Sequence, residues 1–184
     1  MLAALSEAAI APRAVEQIIL RPPAPDDFDA LAEIRRDRDM QTLLLAVIEA
    51  TDDAAVREWI ARRTNNASGV FRVVADGASG AVLGYVQIAD IHRHNRYGYL
   101  GIAIRRGAQR QGVGKAALRL LHELARTEVD LEKLLLTVRA DNVLAIKMYL
   151  DAGYRVVGIL ESHFRDYEGA CHDVLLLERA LDEA

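Results

Sequence analysis

The feature that most constrains this chain is an amphipathic helix with a glycine loop in front of it. Val113, Ala116, Ala117, Leu120, Leu121 and Leu124 recur at i, i+3, i+4, i+7, i+8 and i+11, which aligns them on one helical face that must be covered by something apolar. Directly before it stands Gln109-Arg-Gln-Gly-Val-Gly-Lys115, and before that Tyr97 to Ile104, a run suited to a strand. Two glycines at spacing two let backbone N–H groups come close to a ligand, and a helix N-terminus adds unpaired donors and partial positive charge. Strand, loop and helix together predict an anion site. A bare Gly-x-Gly is equally compatible with a tight turn that only lets the helix pack closely.

Two familiar phosphate motifs are tested by their own spacing. A Walker-type loop needs Gly-x-x-x-x-Gly-Lys followed by Ser or Thr, but counting back from Gly114-Lys115 puts Gln109 at the first glycine, and Ala116 follows the lysine. Gly112-x-Gly114-x-x-Ala117 does fit a dinucleotide fingerprint. Its first glycine should follow the strand almost directly, however, and Arg105 to Gln111 intervene, which disfavours a nicotinamide-dependent oxidoreductase.

The remaining pattern gives the order β, helices, three strands, α, β, α, β, β. Gln17 to Arg21 reads as a strand stopped by Pro22-Pro23, and Pro25-Asp26-Asp27 starts a helix anchored by Phe28, Leu31 and Ala32. Met40, Leu43, Leu44, Val47 and Ile48 fit a second helical face over 37–50, and Thr51-Asp52-Asp53 caps a third helix carrying Val56, Trp59 and Ile60. Residues 70–75 and 81–88 form a hairpin across Asp76-Gly77-Ala-Ser-Gly80. Lys133 to Val138 is apolar enough for a central strand with both faces covered. Asn142 to Ala152 is a helix ended by Gly153, and 154–160 and 173–178 close the chain as strands joined through Glu168-Gly169.

With 184 residues, 52% of them hydrophobic, the chain can bury a full core as one domain over 15–184, preceded by an arm at 1–14. The formal net charge of −4 argues against nucleic acid as a partner. No run of 18 or more apolar residues is free of charge, so no membrane span is expected. Residues 1–12 lack a basic n-region and carry Glu7, which argues against a signal peptide. Cys171 is the single cysteine, so one chain can form neither a disulfide nor a thiolate zinc site, and a cytoplasmic setting follows most simply.

The chain resembles the GCN5-related N-acetyltransferase (GNAT) family. Gln109-Arg110-Gln111-Gly112-Val113-Gly114 matches its Gln/Arg-x-x-Gly-x-Gly/Ala signature, and Leu100 to Ile104 is similar to its fourth strand. Asn142, Ala145, Tyr149, Gly153 and Tyr154 stand at the spacing of its Asn-x-x-Ala-x-x-x-Tyr-x-x-x-Gly-Phe/Tyr segment. The closing Asp166-to-Val174 stretch resembles the hairpin of members acting on ribosomal N-termini, polyamines, amino acids and amino sugars. The resemblance covers about 17–180 in element order and is motif-grade over about 98–160.

It implies a single α/β (α+β) domain, with a mixed, mostly antiparallel sheet and helices on both faces. It implies acetyl-coenzyme A as cosubstrate, no metal, and acetyl transfer to a small-molecule or peptide amine by direct attack. The backbone of Gln109, Arg110, Gln111, Gly112, Val113, Gly114 and Lys115 would hold the pyrophosphate. Strand-edge amides at Ile102 and Ile104 would pair with pantetheine where the strands splay after Ile104, beside Asn142. Tyr149 would protonate the departing thiolate. Taken alone, Tyr149 fits a core position and Asn142 a plain N-cap.

Tyr99 stands where many family members carry a carboxylate that deprotonates the acceptor. Asp90, His92, His94 and a water chain remain for that task, although His92 and His94 also fit a solvated loop. That departure permits a second class, a non-catalytic acyl-coenzyme A sensor or interaction module. Glu161, His163, Asp166, Glu168 and His172 either face the site and attract a cationic acceptor or form a solvated loop. The run Arg105 to Arg110 suits coenzyme phosphates or a wet loop, with Arg110 and Lys115 the stronger anion binders. A homodimer is permitted.

Overall fold

The structure is a computed structural model that describes residues 17–181. The expected arm at 1–14 lies outside the described residues. These form β1 (Ile18–Arg21), α1 (Phe28–Arg36), α2 (Arg38–Leu43), α3 (Asp53–Thr64), β2 (Val70–Asp76), β3 (Val82–His92) and β4 (Tyr97–Ile104), then α4 (Val113–Thr127), β5 (Lys133–Arg139), α5 (Val143–Asp151), β6 (Arg155–Arg165) and β7 (Cys171–Ala180). The order is the one the sequence pattern gives.

The strands make one seven-stranded sheet, β1-β2-β3-β4-β5-β7-β6. Every neighbour pair is antiparallel except β4 with β5. Alternation along β3 sends side chains to two separate cores. Val86 and Ile88 join Val113, Ala117 and Leu121 under α4, while Tyr85 joins Trp59, Leu31 and Ile34 under α1 and α3. Trp59, Phe71 and Tyr85 meet at ring separations of 5.1 to 5.7 Å and fill the second core. Helices therefore cover both faces of the sheet, and no helix among the described residues is long and apolar enough to cross a membrane.

Three expectations are corrected. The second helix stops at Leu43, because Leu45 adopts a left-handed φ of 57°, and residues 44–50 form a loop with Val47 exposed. Strand β5 is covered on one face only: Leu134, Leu136 and Val138 are buried, while Thr137 is exposed. On α4, Leu118 is fully buried and Leu120 only partly so, which shifts the covered face of the helix from the one its apolar period marks.

The C-terminal ends of α4 and α5 are tied to β7 through His122. Arg179 Nη1, which can only donate, lies 2.8 Å from His122 Nδ1 and also donates to Ala152 C=O at 2.6 Å. Nδ1 must then accept, so the neutral ring carries its proton on Nε2 and donates to Tyr154 Oη at 2.9 Å. Burial, reinforced by the Arg179 charge, lowers the His122 pKa to about 4. The unfolded chain therefore takes up this proton first on acidification, from near 6.5 downward. Stability contributed by the neutral ring is complete above that value and is lost as pH falls toward 4. We expect the Tm of the wild type to decline over that interval. His122→Gln, whose amide bonds similarly without titrating, should flatten the decline in calorimetric scans.

Candidate active site

Strands β4 and β5 run side by side at only three pairs, Tyr97–Lys133, Gly98–Leu134 and Tyr99–Leu135. Each is held by a longer ladder on its outer side: β4 by β3 through Ile104, and β5 by β7 through Arg139, with seven registered pairs apiece. The outer ladders prevail and the two strands part. The splay therefore begins at Tyr99, not after Ile104 as the sequence suggested.

Parting leaves a polar strand edge without a strand opposite. Successive amides of an extended strand point to opposite edges. Arg105 N–H donates to Leu83 C=O on the β3 side at 2.8 Å, so the amides of Ile104 and Ile102 face the gap. The gap opens into a cleft of about 750 Å³, within the usual range for small-molecule sites. One wall is β4 and the other is α5, which contributes Asn142, Ala145, Met148 and Tyr149.

At one end lies the glycine loop. Arg110 and Gly112 both take left-handed backbone conformations, with φ of 60° and 80°. Alternating handedness of this kind turns consecutive amides inward to form a concave anion cradle. Gly112 is the N-cap of α4 with no side-chain cap, leaving the first-turn amides of Gly114 and Lys115 without intrahelical acceptors. Gly114 serves by its lack of bulk, since a Cβ there would approach Met148 Sδ to 3.1 Å.

The loop's side chains divide their work. Gln109 Nε2 donates to Ile104 C=O at 2.8 Å and ties the loop to the strand edge. Gln111 turns back to Gly107 C=O at 2.8 Å and Val113 is buried in the core, so only their backbones can meet a ligand. Arg110 and Lys115 line the cleft, with Lys115 Nζ 3.0 Å from Asp151. Arg105 and Arg106 are engaged elsewhere. Arg105 pairs with Glu33 and Arg106 with Asp37 and Asp39, fastening α1 and α2 to the end of β4.

Asn142 accepts from Ala145 N at 3.3 Å and caps α5 at the cleft rim. Tyr149 is buried, packs edge-on against Tyr154 at 5.7 Å and lines the cleft. Burial pushes its phenol far above the ordinary tyrosine range.

Beside Tyr99, Ile88 and Ile91 both enter the core although they are three apart. Ala89 and Asp90 form the bulge between them, with Asp90 at φ 49°. Asp90 lines the cleft and is the one carboxylate among the described residues that does. His92 stacks on Tyr97 at 5.3 Å and accepts from Asn95 N at 3.1 Å, so it builds the β3–β4 turn. Neither His92 nor His94 reaches the cleft.

The acidic C-terminal hairpin does not face the site. Asp166 pairs with His172 at 2.7 Å and accepts from Glu168 N and Ala170 N, while Glu161, His163 and Glu168 are exposed. The hairpin's contribution is Tyr167, whose hydroxyl accepts from Ile48 N at 2.7 Å and whose ring lies under Arg38 at 4.1 Å. It holds the 44–50 loop against the cleft.

The opposite end of the cleft, at α1 to α3, carries Arg35, Gln41, Trp59, Arg63 and Tyr85. Sequence patterning assigns Trp59 to a helix core and gives the two arginines no role, because nothing in their spacing marks them. Among the described residues no group of three or more His, Cys, Asp or Glu side chains could hold a metal ion.

Comparison with known proteins bears on the fold and the family. The family model described as Acetyltransferase (GNAT) domain matches residues 17–155. No curated protein matches the chain. A spermidine N-acetyltransferase from Vibrio cholerae, solved with CoA and spermine, superposes with a TM-score of 0.82 at 21% identity, over 90% of this chain and 96% of that one. A structure of spermidine/spermine N-acetyltransferase from the same organism, with manganese ions, gives 0.77 at 19% identity, covering 91% and 94%. A probable acetyltransferase gives 0.76 at 19% identity, covering 93% and 97%. With three quarters of its length matched to the family model, the chain belongs to the GNAT acetyltransferase family.

Proposed function

We propose that this acetyltransferase uses acetyl-coenzyme A as its donor and transfers the acetyl group to a primary amine by direct attack. The observation that carries the reading is one continuous cleft that joins an anion cradle to an unpaired strand edge and a buried phenol. The coenzyme supplies an activated thioester. Backbone amides over 110–115, with Arg110 and Lys115, hold its pyrophosphate. The Ile102 and Ile104 amides pair with the pantetheine as if it were an added strand, and a strand-end amide near Ile102 donates to the carbonyl oxygen as it gains charge. Asn142 keeps the start of α5 at the rim.

In the transfer a C–N bond forms and the C–S bond breaks, and the thiolate must gain the proton the amine gives up to solvent. Tyr149 supplies that proton. Burial keeps its phenol protonated until the thiolate departs, and the phenolate left after the transfer regains a proton from solvent, which has received the one the amine gave up. Asp90 is exposed and makes no side-chain bond among the described residues, which leaves deprotonation of the acceptor to water. The exposed lone thiol, Cys171, suits a cytoplasmic setting. A homodimer would use the edge strand β6, where Val156, Val157 and Ile159 are exposed.

Thiol release from acetyl-coenzyme A across a panel of amines tests the reading; tight coenzyme binding with no turnover on any amine would favour the sensor alternative. Gly112→Val should weaken coenzyme binding at least tenfold in calorimetry, because a β-branched residue at φ 80° must move the cradle. Tyr149→Phe should lower kcat by about 10²–10⁴-fold with coenzyme affinity retained. Since alkylamines resemble Lys with a pKa of about 10.4, kcat/KM should rise with pH toward the acceptor's own pKa. Asp90→Asn should leave that profile in place, as should His92→Ala; an enzyme pKa independent of the acceptor that vanishes in Asp90→Asn would assign the base to Asp90.

A further inference from the structure

The far end of the cleft carries positive charge that the protein itself does not neutralise. Arg35 and Arg63 both line it, and neither makes an ion pair with a carboxylate among the described residues. Their neighbours are paired: Arg36 with Asp53, Arg105 with Glu33, and Arg106 with Asp37 and Asp39. Arg38 and Arg57 have no carboxylate partner among the described residues either, but they lie over the Tyr167 and Phe28 rings, whereas Arg35 and Arg63 line the cavity.

Arg35 is held in place without being satisfied. Its guanidinium carbon lies 5.0 Å from the Trp59 ring centroid, and its one side-chain bond among the described residues is a long 3.4 Å contact to Gln41 Oε1. Gln41 is buried, and its Nε2 donates to Ile34 C=O at 2.8 Å, which fixes the amide so that its oxygen is turned to Arg35. Half-burial depresses the Arg35 pKa, and the charges of Arg63 and Arg62 depress it further. Burial raises the pKa of the Tyr85 phenol, and the charges of Arg63 and Arg35 act against that rise; Tyr85 lines the same end of the cleft. Two cations, a phenol and an indole face at the end of a cleft make a setting in which an anion offsets a desolvation cost that water alone does not.

We propose, building on the acetyl-transfer reading, that the acceptor is a small amine that also carries a carboxylate, and that this carboxylate seats between Arg35 and Arg63 while the amine points toward the β4–β5 gap. A polyamine would bring a second ammonium to the same place and meet like charge. The one acidic residue that lines the cleft among the described residues, Asp90, lies beside Tyr99 on the bulge and not at this end. Acceptor choice in this chain thereby departs from that of the spermidine-acting proteins it resembles in fold.

The test compares three series of equal chain length, amino carboxylates, their primary amides and α,ω-diamines, by kcat/KM in thiol release, with coenzyme binding followed by calorimetry. Amino carboxylates should exceed both other series by tenfold or more. Arg63→Gln and Arg35→Gln should each raise KM for the carboxylate series at least tenfold, change the amide series little, and leave coenzyme affinity intact. A carboxylate of the same length without the amine should inhibit competitively, and less well in either variant. An aminophosphonate preferred over the carboxylate, diamines turned over as well as the carboxylates, or equal losses for carboxylate and amide in Arg63→Gln would each overturn the proposal while acetyl transfer stands. Absence of coenzyme binding would overturn the transferase reading and this one with it.

Discussion

The parting of β4 from β5 is the constraint on which the rest of the site depends. Three parallel pairs join two halves of the sheet, and each half is held more strongly to its own outer neighbour than to the other half. A strand edge exposed in this way normally invites pairing with another chain. Here α5 lines it on one side and residues of α1 to α3 on the other, so it opens into a cleft and not onto a flat surface. The fold thus turns an incomplete ladder into a slot that offers backbone donors.

Around that slot, charge is distributed by pairing. Arginines that hold the architecture are matched with carboxylates: Arg105 and Arg106 anchor α1 and α2, and Arg21 with Asp27 fixes the entry to α1 at 2.6 Å. The exposed pairs of Arg105 and Arg106 contribute little individually, whereas Arg21 holds the buried Asp27 through two hydrogen bonds; together they fix where the helices sit over the strand end. Arg35 and Arg63 are left for the cavity. At the other end Arg110 and the cradle amides add more positive character, so the cleft as a whole favours anionic groups, even though the chain carries a net charge of −4. Net charge reports on the surface at large and says little about a single enclosed site.

Much of the site was legible because it is local. The glycine loop over Gln109 to Lys115, the helix behind it, the Asn142 cap and the Tyr149 position all lie within short segments whose spacing marks them; the left-handed φ of Arg110 and Gly112 emerges only in the structure. Strand β4 appears at the bounds its composition suggests, Tyr97–Ile104. Less legible was the region over 37–50, where a helical apolar period continued past the actual helix end. Val47 and Ile48 follow that period, yet they lie in a loop held from outside by Tyr167, 119 positions away along the chain. A contact so distant leaves no periodic trace.

The sequence by itself determined the element order, the glycine cradle with its helix, the Asn142-to-Tyr149 spacing and the family they imply, since each depends on neighbours within a few turns of chain. Tertiary structure alone decided where the strands part, because that is a competition between ladders formed by distant segments. It also decided that the acidic hairpin turns inward on itself while Arg35 and Arg63 face the cavity. A side chain's electrostatic role depends on which partners reach it in space. Paired and unpaired arginines look alike along the chain and differ only once the helices are packed.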